Sequence, residues 1–300
     1  PAILDYTNKI VYLEDKELAV LTKNGLKITD LNNNIKNREI NTIEWNKEAA
    51  QKLGYKHFML KEIYEQPKAV EATIYERLRN GDINLKGEIN LSEDQLKNIK
   101  KIIIVACGTS WHAGLLGKFM FEELAKIPTE VEYASEFRYR NPIVDKYTLV
   151  IGISQSGETA DTIAAMKEAK KLGANVISIC NVTGSSITRI SDSVLYTKAG
   201  PEIGVASTKA FTTQLTVLYL MTIYLSKLRN TLNEKQIQSM IQGIRKIPIQ
   251  MNAVLDKDRE IKELAGLYYK KNNALYLGRG ANFPIALEGA LKLKEVSYIH

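Results

Sequence analysis

The stretch Ile151-Gly152-Ile153-Ser154-Gln155-Ser156-Gly157-Glu158-Thr159-Ala160-Asp161-Thr162 decides how this chain is read. Leu149–Ile153 is an apolar run of strand length. From Thr159 to Leu172 the apolar residues Ile163, Met166, Ala169 and Leu172 recur at helical spacing, and Gly173 supplies a stop. Ser154, Ser156 and Thr159 therefore stand where a strand gives way to a helix. Their hydroxyls can donate to an anion there, Gly157 lets the backbone come close, and the first free N–H groups of the helix point at the same place. Such a loop neutralises a phosphate without a lysine. Taken alone, the segment reads equally well as an N-cap hydroxyl beside a glycine turn.

The theme returns three times. Lys101-Ile-Ile-Ile-Val-Ala-Cys-Gly-Thr-Ser110 is a strand running into Gly108, Thr109 and Ser110, with helical pattern from Trp111 to Ala125. Glu202-Ile-Gly-Val-Ala-Ser-Thr-Lys-Ala-Phe211 places Ser207, Thr208 and Lys209 before a long apolar helix. Ala274-Leu-Tyr-Leu-Gly-Arg-Gly280 reads as a strand ending in glycines, followed by Pro284-Ile-Ala-Leu-Glu-Gly-Ala-Leu-Lys-Leu-Lys-Glu295. Strands near 101–107, 130–133, 147–153, 175–180 and 193–197, with helices between them, predict an α/β fold with a doubly wound, parallel, five-stranded sheet. Ligands would bind at the carboxyl ends of those strands, where the hydroxyl loops fall. Sliding the region of Gly108 onto that of Gly280 also pairs Trp111 with Phe283, Leu115 with Leu287 and Gly117 with Gly289, a weak internal repeat.

Taken in order, CGTS, SQSGETADT, GVASTKAFTTQ and LGRGxxxPIALEGALKLKE resemble the sugar isomerase (SIS) half of the glutamine:fructose-6-phosphate amidotransferase family, the glucosamine-6-phosphate synthases. Lys61-Glu-Ile-Tyr-Glu-Gln-Pro67 is similar to that family's interdomain linker. Pro1–Leu4 through Tyr12–Asp15 is similar to the last strands of its glutaminase domain. The resemblance implies four parts: residues 1–45 as the β-rich end of a glutaminase domain, 46–95 as a helical linker, 96–245 as a first SIS domain, and 246–300 as the start of a second. It also implies that the family's nucleophilic N-terminal cysteine, its ring-opening histidine and its Schiff-base lysine fall outside the chain. The 246–300 piece, too small to cover both faces of a sheet, is expected to lean on its neighbour or be poorly ordered.

The activity so implied is amination of fructose 6-phosphate and isomerisation to glucosamine 6-phosphate, with ammonia from glutamine and with no metal or organic cofactor. Thr109, Ser110, Ser154, Gln155, Ser156 and Thr159 fall on the family's phosphate-binding loops, and Val205 and Ser207 match its sugar contacts. Isomerisation moves a proton between C1 and C2, which requires a carboxylate over that edge of the open-chain sugar. Glu288, Lys292 and Glu295, spaced i, i+4 and i+7, share one helix face. By spacing alone that face is a solvated salt-bridge surface. By resemblance Glu295 is the proton-shuttling glutamate, Lys292 a lysine near the sugar and Glu288 a further active-site carboxylate.

Composition narrows the alternatives. The formal charge is +7 over 300 residues, but the lysines lie along helix faces, as at Lys167, Lys170 and Lys171, without a nucleic-acid-binding motif. Leu215–Leu225 is apolar yet shorter than the roughly 20 residues of a membrane span. No signal peptide is visible, so a cytoplasmic protein is expected. With the resemblance goes the expectation of a homodimer. Two cysteines without C-x-x-C spacing and the scattered His57, His112 and His300 suggest no metal site. A sugar-phosphate-binding regulator would lack the E-G-A-L-K-L-K-E helix, and a simple aldose-ketose isomerase would lack the glutaminase tail and linker. For the 300 residues by themselves a binding-only module stays open.

Overall fold

The computed structural model describes residues 6–42, 51–79 and 81–300. They divide into two units, residues 1–54 and 55–300. In the first, Glu17–Thr22 pairs antiparallel with Gly25–Asp30 across Lys23-Asn24, and Lys9–Ile10 pairs with Asn41–Thr42. The polar turns at Lys23-Asn24-Gly25 predict this hairpin. Residues 1–5 and 43–50, which include the Pro1–Leu4 resemblance, lie outside the described residues.

The second unit is built on five parallel strands: β1 (Lys101–Ala106), β2 (Thr129–Tyr133), β3 (Thr148–Ser154), β4 (Asn175–Cys180) and β5 (Ser193–Tyr196). Their order is β5-β4-β3-β1-β2, with Val105 beside Gly152 and Cys180 beside Ser154. The chain thus winds outward from β1 to β2, returns to the other side of β1, and winds outward again from β3. Between β1 and β3 the connections diverge. That is the switch point where an open α/β sheet leaves a crevice at its carboxyl edge.

Both faces of the sheet are covered, which is why its strands read as continuous apolar runs. Ile102, Ile104, Leu149, Ile151, Ile177 and Ile179 pack into one core with residues of the Lys209–Leu228 helix, while Ile103, Val105, Val150 and Val176 pack into the other with Ala165, Met166 and Ala169. The apolar Leu215–Leu225 run lies inside the Lys209–Leu228 helix and is largely buried. Among the described residues no helix is long and apolar enough to cross a membrane. Helix Phe58–Tyr75 packs against helices Lys209–Leu228 and Glu234–Leu255, and its Val70 and Ile74 enter the first core.

Three local readings need correction. The helix after β1 starts at Gly108, runs to Met120 and ends in a π-helical turn, Phe121–Ala125. The helix after β3 is Ala160–Lys171, and Leu172, read as part of its apolar face, is exposed. Residues 274–279 form no strand: no described strand lies beside them to complete their hydrogen bonds, and the segment stays exposed. Downstream, Asn282–Ser297 is helical and packs on Gly108–Met120. Asp258–Tyr268 is also a helix but buries none of its residues.

Candidate functional site

Two hydroxyl-bearing loops leave the sheet side by side at the β1/β3 switch point. The helix after β1 starts behind Cys107 and the helix after β3 behind Thr159, and neither N-cap side chain bonds to its first turn. Their leading N–H groups are available to an anion.

The β3 loop is braced from within. Ser154 Oγ accepts from Gly157 N–H at 3.0 Å and lies 3.0 Å from Thr159 Oγ1. Ser156 Oγ accepts from Glu158 N–H at 3.2 Å. Gly157 has a φ of +69°, and any side chain there would collide with Ser185 and Cys180, so the turn requires glycine. Asn181 N–H donates to the Gln155 carbonyl at 3.2 Å and Ile187 N–H to that of Gly157 at 3.0 Å. Burial pushes the neighbouring Cys180 thiol above its ordinary pKa. Ser154 is buried, whereas Gln155, Ser156 and Thr159 stay partly accessible. The loop is therefore braced by its own hydrogen bonds, with Ser154 Oγ at their centre.

Thr109 joins the β1 loop to the charged helix face. Its hydroxyl donates to Glu288 Oε1 at 2.9 Å and accepts from Lys292 Nζ at 3.1 Å. Lys292 Nζ also lies 3.4 Å from Glu288 Oε1 and 2.5 Å from Glu295 Oε2. Glu288 is buried and Glu295 lies nearer the surface. One lysine thus spans both carboxylates, and through Thr109 the Glu288–Lys292 end of the i, i+4, i+7 face is turned onto the helix after β1, while Glu295 stays exposed. His112, one helical turn beyond Thr109, closes the cluster with Nδ1 2.6 Å from Glu288 Oε2. In the sequence His112 stands only as one of three scattered histidines; its place three residues after Thr109, on the same helix face, is the signal that joins it to the cluster.

Val205 and Ser207 lie on a third loop, before helix Lys209–Leu228. Val205 is 99% exposed, and Ser207 Oγ donates to Glu202 Oε2 at 2.9 Å. Glu202 Oε1 also accepts from the N–H groups of Thr208 and Ala210 at 2.9 and 3.1 Å. Behind the loop, Glu62 of helix Phe58–Tyr75 accepts from the N–H groups of Ile203 at 2.6 Å and Gly204 at 3.1 Å. Burial raises the pKa of Glu62, partly offset by those two donors. Neither Glu62 nor Glu202 is conspicuous in the sequence, since each acts on backbone groups. Ser110, Ser154, Ser156 and Thr159 thus stand at or just beyond the carboxyl ends of the neighbouring strands β1 and β3, Glu288, Lys292 and Glu295 form one cluster with Thr109, and Val205 and Ser207 sit on a separately anchored loop.

A model of the SIS domain matches residues 95–224. The isomerizing glutamine–fructose-6-phosphate aminotransferase of Clostridium tetani is 51% identical over 301 residues, taking in 100% of this chain and 49% of the relative. The corresponding enzyme of Methanosarcina acetivorans is 49% identical, with 100% and 48% covered. Among solved structures, the C-terminal domain of glucosamine-fructose-6-phosphate aminotransferase from Francisella tularensis superposes with a TM-score of 0.79 at 48% identity, covering 83% of this chain and 70% of that one. Tagatose-6-phosphate ketose/aldose isomerase from Escherichia coli superposes with a TM-score of 0.63 at 21% identity, over 81% of this chain and 65% of that one, a likeness of fold alone. The chain spans about half the length of the curated relatives it matches. With the switch-point loops in place and identity near one residue in two along its whole length, the chain belongs to the isomerizing glutamine–fructose-6-phosphate aminotransferase family.

Proposed function

We propose that the crevice between β1 and β3 holds the phosphate of fructose 6-phosphate, and that the Glu288-Lys292-Glu295 face moves the proton that turns the aminated ketose into glucosamine 6-phosphate. The observation that carries this reading is Thr109, which stands in the first turn of the helix after β1 and bonds both Glu288 and Lys292. On this reading a phosphate site and an acid–base face lie within one side chain of each other. Ser110, Ser156 and Thr159 act as donors to the phosphate, Ser154 braces the loop, Gln155 faces a sugar hydroxyl, and Val205 and Ser207 border the sugar. Glu295 is the base acting between C1 and C2, held in place by Lys292.

In the same proposal the chain works within a longer glutamine-dependent, homodimeric, cytoplasmic enzyme. Residues 1–45 close a glutaminase domain that supplies ammonia, 46–95 link it to the first SIS domain at 96–245, and 246–300 open the second. The test is thermal. Fructose 6-phosphate at a hundredfold excess over its dissociation constant should add about 2.7 kcal/mol of stability, and unphosphorylated fructose should add none. Ser156→Ala should weaken the response, since a hydrogen bond to a charged group is worth about 1.5 to 3 kcal/mol. An unchanged response in both Ser156→Ala and Thr159→Val would move the phosphate elsewhere.

A further inference from the structure

Gln214 occupies a position where an amide has no packing reason to be. It lies inside helix Lys209–Leu228 and is 1% exposed, in the same helix as the core residues Val217, Leu218, Leu220 and Met221. Its Nε2 donates to Ser110 Oγ at 3.0 Å. Its Oε1 is buried and has no hydrogen-bond partner among the described residues. A buried acceptor left unpaired costs stability, and a methionine or leucine would fill the same volume without that cost.

The compensation is found at Ser110. A serine hydroxyl has one proton and two acceptor sites. With Gln214 donating to it, the oxygen of Ser110 is engaged as an acceptor and its proton is left for another partner. Ser110 is 7% exposed, on the first turn of the helix whose N-cap side chain makes no bond to that turn. We infer that Gln214 is a positioning residue for the phosphate: its N–H makes Ser110 a committed donor to the anion, in a relay from amide to hydroxyl to phosphate whose two bonds strengthen each other. The inference rests on the reading of Ser110 as a phosphate ligand.

The experiment is a double-mutant cycle on the whole chain, reading the dissociation constant of fructose 6-phosphate by calorimetry and the 31P resonance of the bound sugar phosphate. Ser110→Ala should weaken binding about tenfold or more, and Gln214→Met about three- to tenfold. The double variant should bind no more weakly than Ser110→Ala alone, because the amide acts only through the hydroxyl. The 31P resonance should move in the same direction in both single variants, a signature that a merely loosened core would not give. Gln214→Leu replaces Gln214→Met if the latter fails to fold by circular dichroism. Parent-like or tighter binding in the Gln214 variants, or additive losses in the double variant, would overturn the inference while leaving Ser110 as a ligand. Parent-like binding in Ser110→Ala, or no binding by the parent chain, would remove the reading beneath it and the inference with it.

Discussion

Two strand-to-helix units in this molecule share a pattern and differ in outcome. An offset of 172 residues lays Gly108 on Gly280, Trp111 on Phe283, Leu115 on Leu287 and Gly117 on Gly289, and sets Ile104 against Tyr276. Gly108 and Gly280 turn the chain with φ of +56° and +59°. A side chain at Gly117 would come within 3.3 Å of Ile104, and one at Gly289 within 2.7 Å of the Tyr276 ring, so the matched residues lie over the matched glycines. Yet Ile104 is fully buried in a strand paired on both sides, whereas Leu275 and Leu277 are 90% and 87% exposed in a segment that forms no strand. The turn and the helix contact are local and repeat wherever the sequence repeats. A strand is completed only by its neighbours, whose hydrogen bonds no local pattern supplies.

The proposed site residues also divide between the two units. The first carries Thr109 and Ser110 at its helix start; the second has Ala281 and Asn282 at the matching positions and puts Glu288, Lys292 and Glu295 further along. If the first unit binds and the second reacts, Glu295→Gln in the assembled enzyme should lower isomerisation by about two to four orders of magnitude, the usual worth of a placed general base. The dissociation constant of fructose 6-phosphate should hold. Exchange of the C1 or C2 proton with deuterated water measures the step, and exchange at the parent rate would return the helix face to a structural role.

Stability gives a smaller but sharper contrast. Ile104→Ala should cost about 2 to 5 kcal/mol in urea unfolding, because the surrounding core cannot collapse onto the space. In the same 300-residue chain Leu277→Ala should stay within about 0.5 kcal/mol, as at other exposed sites. Comparable losses at the two positions would mean that the second segment is buried in solution. The smallest difference is expected at the paired glycines. Gly117→Ala meets Leu218 methyls at 3.1 and 3.2 Å in a closed core, and overpacking of that kind costs about 1 to 3 kcal/mol. Gly289→Ala meets a Tyr276 ring that is 43% exposed and can turn aside, so its cost should be below about 1 kcal/mol. Equal melting temperatures for the two variants would show the second unit to be packed as firmly as the first.

The sequence by itself determined the sheet, its parallel winding and the loops at its carboxyl edge. Runs such as Ile102–Ala106 and Leu149–Ile153 are long enough, apolar enough and closely enough followed by Gly108 and Gly157 to have one reading, since both faces of such a strand must be covered. The helix face bearing Glu288, Lys292 and Glu295 was also legible, because helical spacing is a local property. Only the tertiary structure decided what that face meets. Thr109 and Glu288 are 179 positions apart, His112 and Glu288 are 176, Ser110 and Gln214 are 104, and Glu62 and Ile203 are 141. Each pair joins groups whose local patterns call for solvent, capping or packing and carry no mark of the partner. The same reason separates Ile104 from Tyr276: periodicity and turn residues act over a few positions, whereas the hydrogen bonds and burial that choose between a strand and an exposed segment depend on chain that only the fold brings alongside.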